Sequence, residues 1–269
     1  MRKIGLLVFL FLISSCAFLQ PRPPVKPIEA KEFWAVFWRN QTRKKLETQA
    51  IQGKIRLDMA EKKQTLSGTG TLYSSPEGLR LELRDPLGRL QYAAVLDGKK
   101  FFLAYYPSQN RAYSDKAQGG IYLREFLGLG MSFYDLKDLW LGILPFKRSE
   151  LQLESVEKTD REGQLLAVLK KGKLQIDALV DSTTGEILNL EWKNFDFKAN
   201  FEFSEFAKCC EEYTTQNELP RVGRSVFLKI ENQASELDLE WVEIVPPSEK
   251  GKGIFSLELP GSVRKIILR

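Results

Sequence analysis

The residues able to do chemistry in this 269-residue chain are few. Histidine is absent altogether. That removes Ser–His and Cys–His nucleophile pairs, imidazole metal ligands and the easiest base at neutral pH. Asp135, Asp138, Glu211 and Glu212 are candidates for paired acid–base work. Such work needs two carboxyls held in a cleft, and nothing in their spacing places them in one, so polar surface is the expectation. Cys209 and Cys210 are adjacent. They can form a strained vicinal disulfide, pair across a dimer or stay free; an oxidising compartment favours oxidation. Without histidine they make a poor metal site, and they lack the basic context that lowers a thiol pKa. The expectation is therefore no catalytic residue, no metal, no cofactor and no enzyme.

The third cysteine, Cys16, stands in a different context. Arg2 and Lys3 precede an apolar run from Ile4 to Ile13. As a helix, such a run rises about 15 Å, half the hydrocarbon core of a bilayer, which suits a signal peptide and not a spanning helix. Ile13-Ser14-Ser15-Cys16 then resembles the bacterial lipobox. The resemblance implies cleavage before Cys16, a diacylglyceryl group on its sulfur and a further acyl chain on its new amino group. Two or more chains, at about 0.8 kcal/mol per buried CH₂, hold a protein firmly on a membrane. Residue 17 is Ala and not Asp, which under the sorting rule that accompanies the lipobox points to the outer membrane, on its periplasmic face. Proline-rich Gln20 to Pro27 is expected to be a semi-rigid spacer. The implied division is a signal peptide (1–15), an acylated tether (16–27) and one domain (28–269).

Two further stretches matter for their apolar residues. In Leu79 to Asp97, Leu79, Leu81 and Leu83 alternate with Arg80, Glu82 and Arg84, the period of a half-buried strand. Asp85-Pro86-Leu87-Gly88 breaks that strand with turn residues, and Leu90 to Leu96 returns. Leu87 is a leucine at a hairpin tip, where it either folds back or stands in water as many surface leucines do. In Glu191 to Phe206, Phe195, Phe197, Phe201 and Phe203 share one face of a predicted strand. Four phenylalanines can fill a core or line a cavity, and core packing is the commoner use.

The elements around these stretches are mostly strands. Ile28 to Ala50 carries Phe33, Trp34, Phe37 and Trp38 at helical spacing, a stripe suited to packing on a sheet. Period-two strands follow from Ile51, from Leu66 (where Gly68 and Gly70 signal a bulge or a close backbone approach), through the Leu87 hairpin, and at Phe101 to Tyr106 and Arg111 to Ser114. Gly119 to Gly142 interrupts them with two short helices, the second N-capped by Ser132 with Asp135 three residues on. Strands resume near Leu151, Gln164 and Lys173 and continue past Val226 and Leu237, and Ile254 to Leu268 can add an edge strand. The fold class is mainly β with α: about eleven antiparallel strands in one unclosed half-barrel, with an N-terminal helix and a helical lid. A hydrophobic fraction of 43% supports a real core, and a net charge of +5, scattered among acids, excludes a nucleic-acid footprint.

The order of elements resembles the LolB-like outer-membrane lipoprotein receptors of the LolA/LolB lipoprotein-localisation superfamily. The likeness runs from Ile28 to Val245 and rests on the lipobox, the Pro86-Leu87-Gly88 hairpin and Leu127 to Pro145, which ends in Leu141-Gly142-Ile143-Leu144-Pro145. Ser204 to Thr215 and the tail after Pro246 depart from the pattern. The resemblance implies a hydrophobic cavity for the acyl chains of a client lipoprotein or lipid, received from a periplasmic LolA-type carrier and released by a monomer into the outer-membrane bilayer. It implies that Leu87, flanked by Pro86 and Gly88, enters the membrane during transfer. Cavity-lining candidates are then Leu81, Leu83, Phe195, Phe197, Phe201 and Phe203; lid candidates are Leu123, Phe126, Leu136 and Trp140. Two rivals keep the fold: a tethered lipid carrier or envelope-sensing module, and a structural lipoprotein with a filled core.

Overall fold

In a computed structural model, the described residues are 27–48, 51–61, 64–97, 101–194, 198–208, 221–231, 235–245 and 254–269. Cys16, Phe195, Phe197, Cys209 and Cys210, together with Glu211 and Glu212, lie outside them.

Helix α1 (Pro27–Glu47) begins on a proline, which lacks the N–H that a first helical turn leaves unbonded anyway. Its stripe packs as the spacing requires. Phe37 and Trp38 are buried, and the Trp34 ring stacks on Phe37 with centroids 5.7 Å apart.

Fourteen strands follow among the described residues: β1 (Ile51–Glu61), β2 (Gln64–Ser75), β3 (Gly78–Arg84), β4 (Leu90–Asp97), β5 (Phe101–Tyr106), β6 (Arg111–Asp115), β7 (Gln152–Lys158), β8 (Gln164–Lys171), β9 (Leu174–Asp181), β10 (Ile187–Lys193), β11 (Lys198–Lys208), β12 (Arg221–Ile230), β13 (Ser235–Val245) and β14 (Arg264–Ile267). They form one open sheet in the order β14-β6-β5-β4-β3-β2-β1-β13-β12-β11-β10-β9-β8-β7. This is two antiparallel meanders, β1 to β6 and β7 to β13, joined side by side through β1 and β13. Residues of both meanders share one core, from Ala104 on β5 to Leu169 on β8. The fold is thus the unclosed, mainly antiparallel half-barrel that the periodicity predicts, with more strands than the expected eleven and one parallel pair, β14 on β6.

Gly68 and Gly70 mark a close approach and not a bulge, because β1 and β2 pair without a register shift. A Cβ at Gly70 would stand 1.8 Å from the Glu82 carbonyl oxygen and one at Gly68 2.6 Å from that of Arg84, so β2 lies against β3 at a distance only glycine allows.

The run from Glu191 to Phe206 is not one strand. Lys193 closes β10 and pairs with Lys198, which opens β11. Phe195 and Phe197 lie outside the described residues, so of the four phenylalanines only Phe201 and Phe203 are placed, both on β11. On β11 the alternation holds: Ala199, Phe201 and Phe203 are buried, while Glu202 faces out.

The C-terminal arm covers the outside of the first meander. Leu257, Leu259 and Val263 pack on Leu103, Tyr105 and Ala112, so β5 is buried on both faces. Arg80 fastens the arm, its Nη1 donating to the carbonyls of Ile254 and Ser256 at 2.8 Å each. The arm ends as β14 on the edge of β6.

Candidate functional site

Helices α2 (Gly120–Leu127) and α3 (Phe133–Trp140) sit over the inner face of the sheet. Asp115, at the end of β6 and 1% exposed, fixes the start of α2. Its Oδ1 accepts from the Ala117 and Gly119 amides (2.8 and 2.9 Å) and its Oδ2 from that of Tyr122 (3.0 Å). The Gly119 and Tyr122 amides are among those a helix N-terminus leaves without intrahelical partners. Ser132 caps α3: its Oγ accepts from the Asp135 amide at 3.1 Å, and Asp135 Oδ2 accepts from the Ser132 amide at 3.0 Å. Asp135 is therefore a capping residue.

Helix α1 clasps the far end of α3. Gln41 is buried; its Nε2 donates to the Gly142 carbonyl at 3.2 Å, and its Oε1 accepts from the Leu144 amide at 2.8 Å. Lys45 and Lys137 both pair with the buried Asp138, at 2.8 and 2.7 Å. Trp241 Nε1 on β13 donates to the Trp140 carbonyl at 3.3 Å.

Between helices and sheet lies an apolar void. Leu57, Leu66, Leu81, Tyr92 and Leu237 line it from the strands; Tyr122, Leu123, Leu127, Phe133, Leu136 and Trp140 line it from the helices. Its volume is about 20 Å³, room for roughly one water, against the 300–1,000 Å³ typical of ligand pockets. The helices are closed down on the sheet.

Of the sequence candidates, Leu81, Leu123, Leu136 and Trp140 line this void. Leu83 is buried but does not. Phe201 and Phe203 belong to the core under the second meander, where Phe203 lies beside Gly142 and Gly223. Phe126 is half-buried, meeting Tyr113 edge-on and stacking on Tyr122, centroids 4.8 and 4.7 Å away, and is not among the residues lining the void.

The void has a polar corner that the sequence reasoning missed. The hydroxyls of Tyr106 (end of β5) and Tyr122 (α2) share a short hydrogen bond, and Tyr92 on β4 has its ring 5.1 Å from that of Tyr106. Burial first of all, and then the neighbouring Tyr92 and Tyr106, push the Tyr122 phenol well above its ordinary range, so it stays protonated. Trp140 Nε1 is buried with no hydrogen-bond partner. Each tyrosine sits at an ordinary core position in its own element, so no local pattern announces the cluster.

The Leu87 hairpin projects away from this interior. The Gly88 amide donates to the Asp85 carbonyl at 2.8 Å, and Gly88 takes φ +79°, a turn followed by a left-handed residue. Asp85 Oδ1 accepts from the amides of Leu87 and Arg89, each at 2.9 Å, and its Oδ2 accepts from Arg89 Nε at 2.7 Å. The Arg89 amide, together with the guanidinium and the Leu87 amide, holds the Asp85 carboxyl below its usual range. The loop is thus fixed by its backbone and by Asp85, and Leu87 is left 77% exposed.

No protein-family profile matches the sequence, and no curated protein matches it. Solved structures do. A DUF1329 family protein from Desulfovibrio piger superposes with a TM-score of 0.57 at 12% identity, over 82% of this chain and 96% of that one. A putative outer membrane lipoprotein-sorting protein domain from Vibrio parahaemolyticus gives 0.54 at 11%, over 81% and 94%. A LolA superfamily protein from Nitrosomonas europaea gives 0.51 at 10%, over 83% and 97%. The likeness is one of architecture, and it shows that the chain shares its fold with these three proteins.

Proposed function

We propose that this protein is a non-catalytic acyl-chain-binding protein of the lipoprotein-sorting type, anchored through Cys16 and working at the outer-membrane surface. The observation that carries the reading is the apolar void between the sheet and two capped helices, in a fold shared with a LolA superfamily protein. Such a wall can take acyl chains when α2 and α3 lift, since each CH₂ moved out of water gains about 0.8 kcal/mol. The LolB-like form of the proposal adds that clients arrive from a LolA-type carrier and that Leu87 enters the bilayer during release. Its support is the exposed leucine on a rigid tip.

The test uses protein starting at residue 17, which lacks the anchor. It should take a triacylated lipoprotein from a LolA-type carrier and should bind a fluorescent acyl probe saturably. Probe binding without lipoprotein transfer selects a tethered lipid carrier. Failure of both selects the filled-core structural protein, a reading that the small volume of the closed void favours.

A further inference from the structure

The polar corner of the void says what kind of acyl chain it takes. A purely hydrocarbon ligand needs no polar group in the wall. Yet Tyr92 and Tyr122 line the void, and Tyr106 bonds to Tyr122 behind them. The Trp140 ring lines the same void, and its indole N–H is buried without an acceptor. An indole N–H can only donate, so Trp140 Nε1 lacks an acceptor oxygen, while the tyrosine hydroxyls, which can donate or accept, are bonded to one another and can re-pair. Leaving a buried donor unpaired carries the full cost of its desolvation, and one oxygen brought in by a ligand removes it. No Lys or Arg lines the void, so an ionised carboxylate would be buried there without a counter-charge.

We propose that Trp140 Nε1 and the Tyr92–Tyr106–Tyr122 hydroxyl cluster form a recognition point for the neutral ester oxygens of an esterified acyl chain, and discriminate against both bare hydrocarbon and free fatty-acid anion. This rests on the acyl-binding reading above and sharpens it. Tyr106 and Tyr122 bridge the sheet and α2. The hydrogen bond that ties the lid down is therefore one that an entering ester can replace, so lid opening and ester capture are the same exchange of partners.

The experiment displaces a bound fluorescent acyl probe, at pH 8, with three ligands of one chain length: the methyl ester, the alkane and the free acid. The wild-type protein should bind the ester about tenfold more tightly than the alkane, and the acid more weakly than the ester. Trp140→Phe and Tyr122→Phe should each reduce the ratio of ester to alkane affinity, whatever they do to binding in general, and the double variant should bind ester and alkane alike. Circular dichroism and a cooperative thermal transition verify that the variants are folded. Equal binding of ester and alkane by the wild type, or full discrimination retained by the double variant, overturns the inference and leaves the acyl-binding reading standing. If no ligand displaces the probe and the probe itself does not bind, both fall.

Discussion

Leu87 offers the sharpest perturbation, because its side chain does almost nothing for the fold. The tip is held by Asp85 and by backbone bonds, none of which involves the leucine side chain. Full burial of a leucine gains about 1.5–3 kcal/mol. With 77% of Leu87 in water, about 1–2 kcal/mol remains to be gained on entering a bilayer. At about 1.4 kcal/mol per tenfold, that is a ~5- to 30-fold change in partitioning. Anchor-free protein is mixed with phospholipid vesicles and sedimented. Leu87→Ala should bind more weakly by that factor, and Leu87→Glu, which adds a charge to be desolvated, should fall to background and stop lipoprotein delivery. Thermal midpoint and acyl-probe binding should not change in either. Arg84 and Arg89 beside the tip are each engaged by a carboxylate, so added salt should weaken the wild-type interaction only slightly. Vesicle binding by Leu87→Ala within twofold of wild type would refute the reasoning and return Leu87 to the idle surface leucines.

Three other perturbations address the scaffold. Gly88→Ala meets open space but must hold φ +79°, so it should cost about 1–2 kcal/mol in a urea melt with no loss of contacts. Asp138→Ala leaves Lys137, 8% exposed at its side chain, buried without its partner, and should cost about 3–5 kcal/mol; Lys45→Ala removes a half-exposed partner and should cost under about 1 kcal/mol. At Glu82, burial works to raise the carboxyl pKa, but the hydrogen bonds and charges of Arg80 and then Arg84 outweigh it, and the folded value lies below the ordinary 4.5. The folded state therefore binds this proton less readily than the unfolded chain. Its contribution is fully present above pH 4.5 and is lost as pH falls through the folded value. Urea midpoints should hold from pH 7 to 5 and drop below that, with a shallower acid limb in Glu82→Gln.

Features set by neighbours in sequence were legible from sequence. The Asp85 to Gly88 turn needs only Asp, Pro and Gly in order, and the Ser132–Asp135 box only its spacing of three. The stretch from Glu191 to Phe206 holds two strands, β10 ending at Lys193 and β11 opening at Lys198, and a period of two does not by itself mark where one strand gives way to the next. The void wall was half legible. Leu81 and Leu136 follow from amphipathic periodicity. Tyr92, Tyr106 and Tyr122 come from three elements, and only the packing of α2 on the sheet makes them neighbours. Asp115 escaped for a different reason: a strand-ending aspartate two to seven residues before the amides it binds looks like any turn residue. The parallel β14 depends on an arm that first crosses the outside of the sheet, a path no local signal records.

The seam between the two meanders has a kinetic consequence. Strand β1 pairs on one side with β2, the next strand in the chain, but on the other side with β13, so that Met59 faces Leu237. As the chain is made, β1 to β6 can assemble early while one long edge of β1 waits for a partner about 180 residues downstream. A contact of such sequence separation is slow to form, because the loop must close before pairing stabilises it. Until then the open edge is a template for pairing with another chain. Refolding should accordingly be slow and concentration-sensitive, with aggregation growing in proportion to the lifetime of that half-formed sheet. A chaperone that shields one strand edge is the natural remedy.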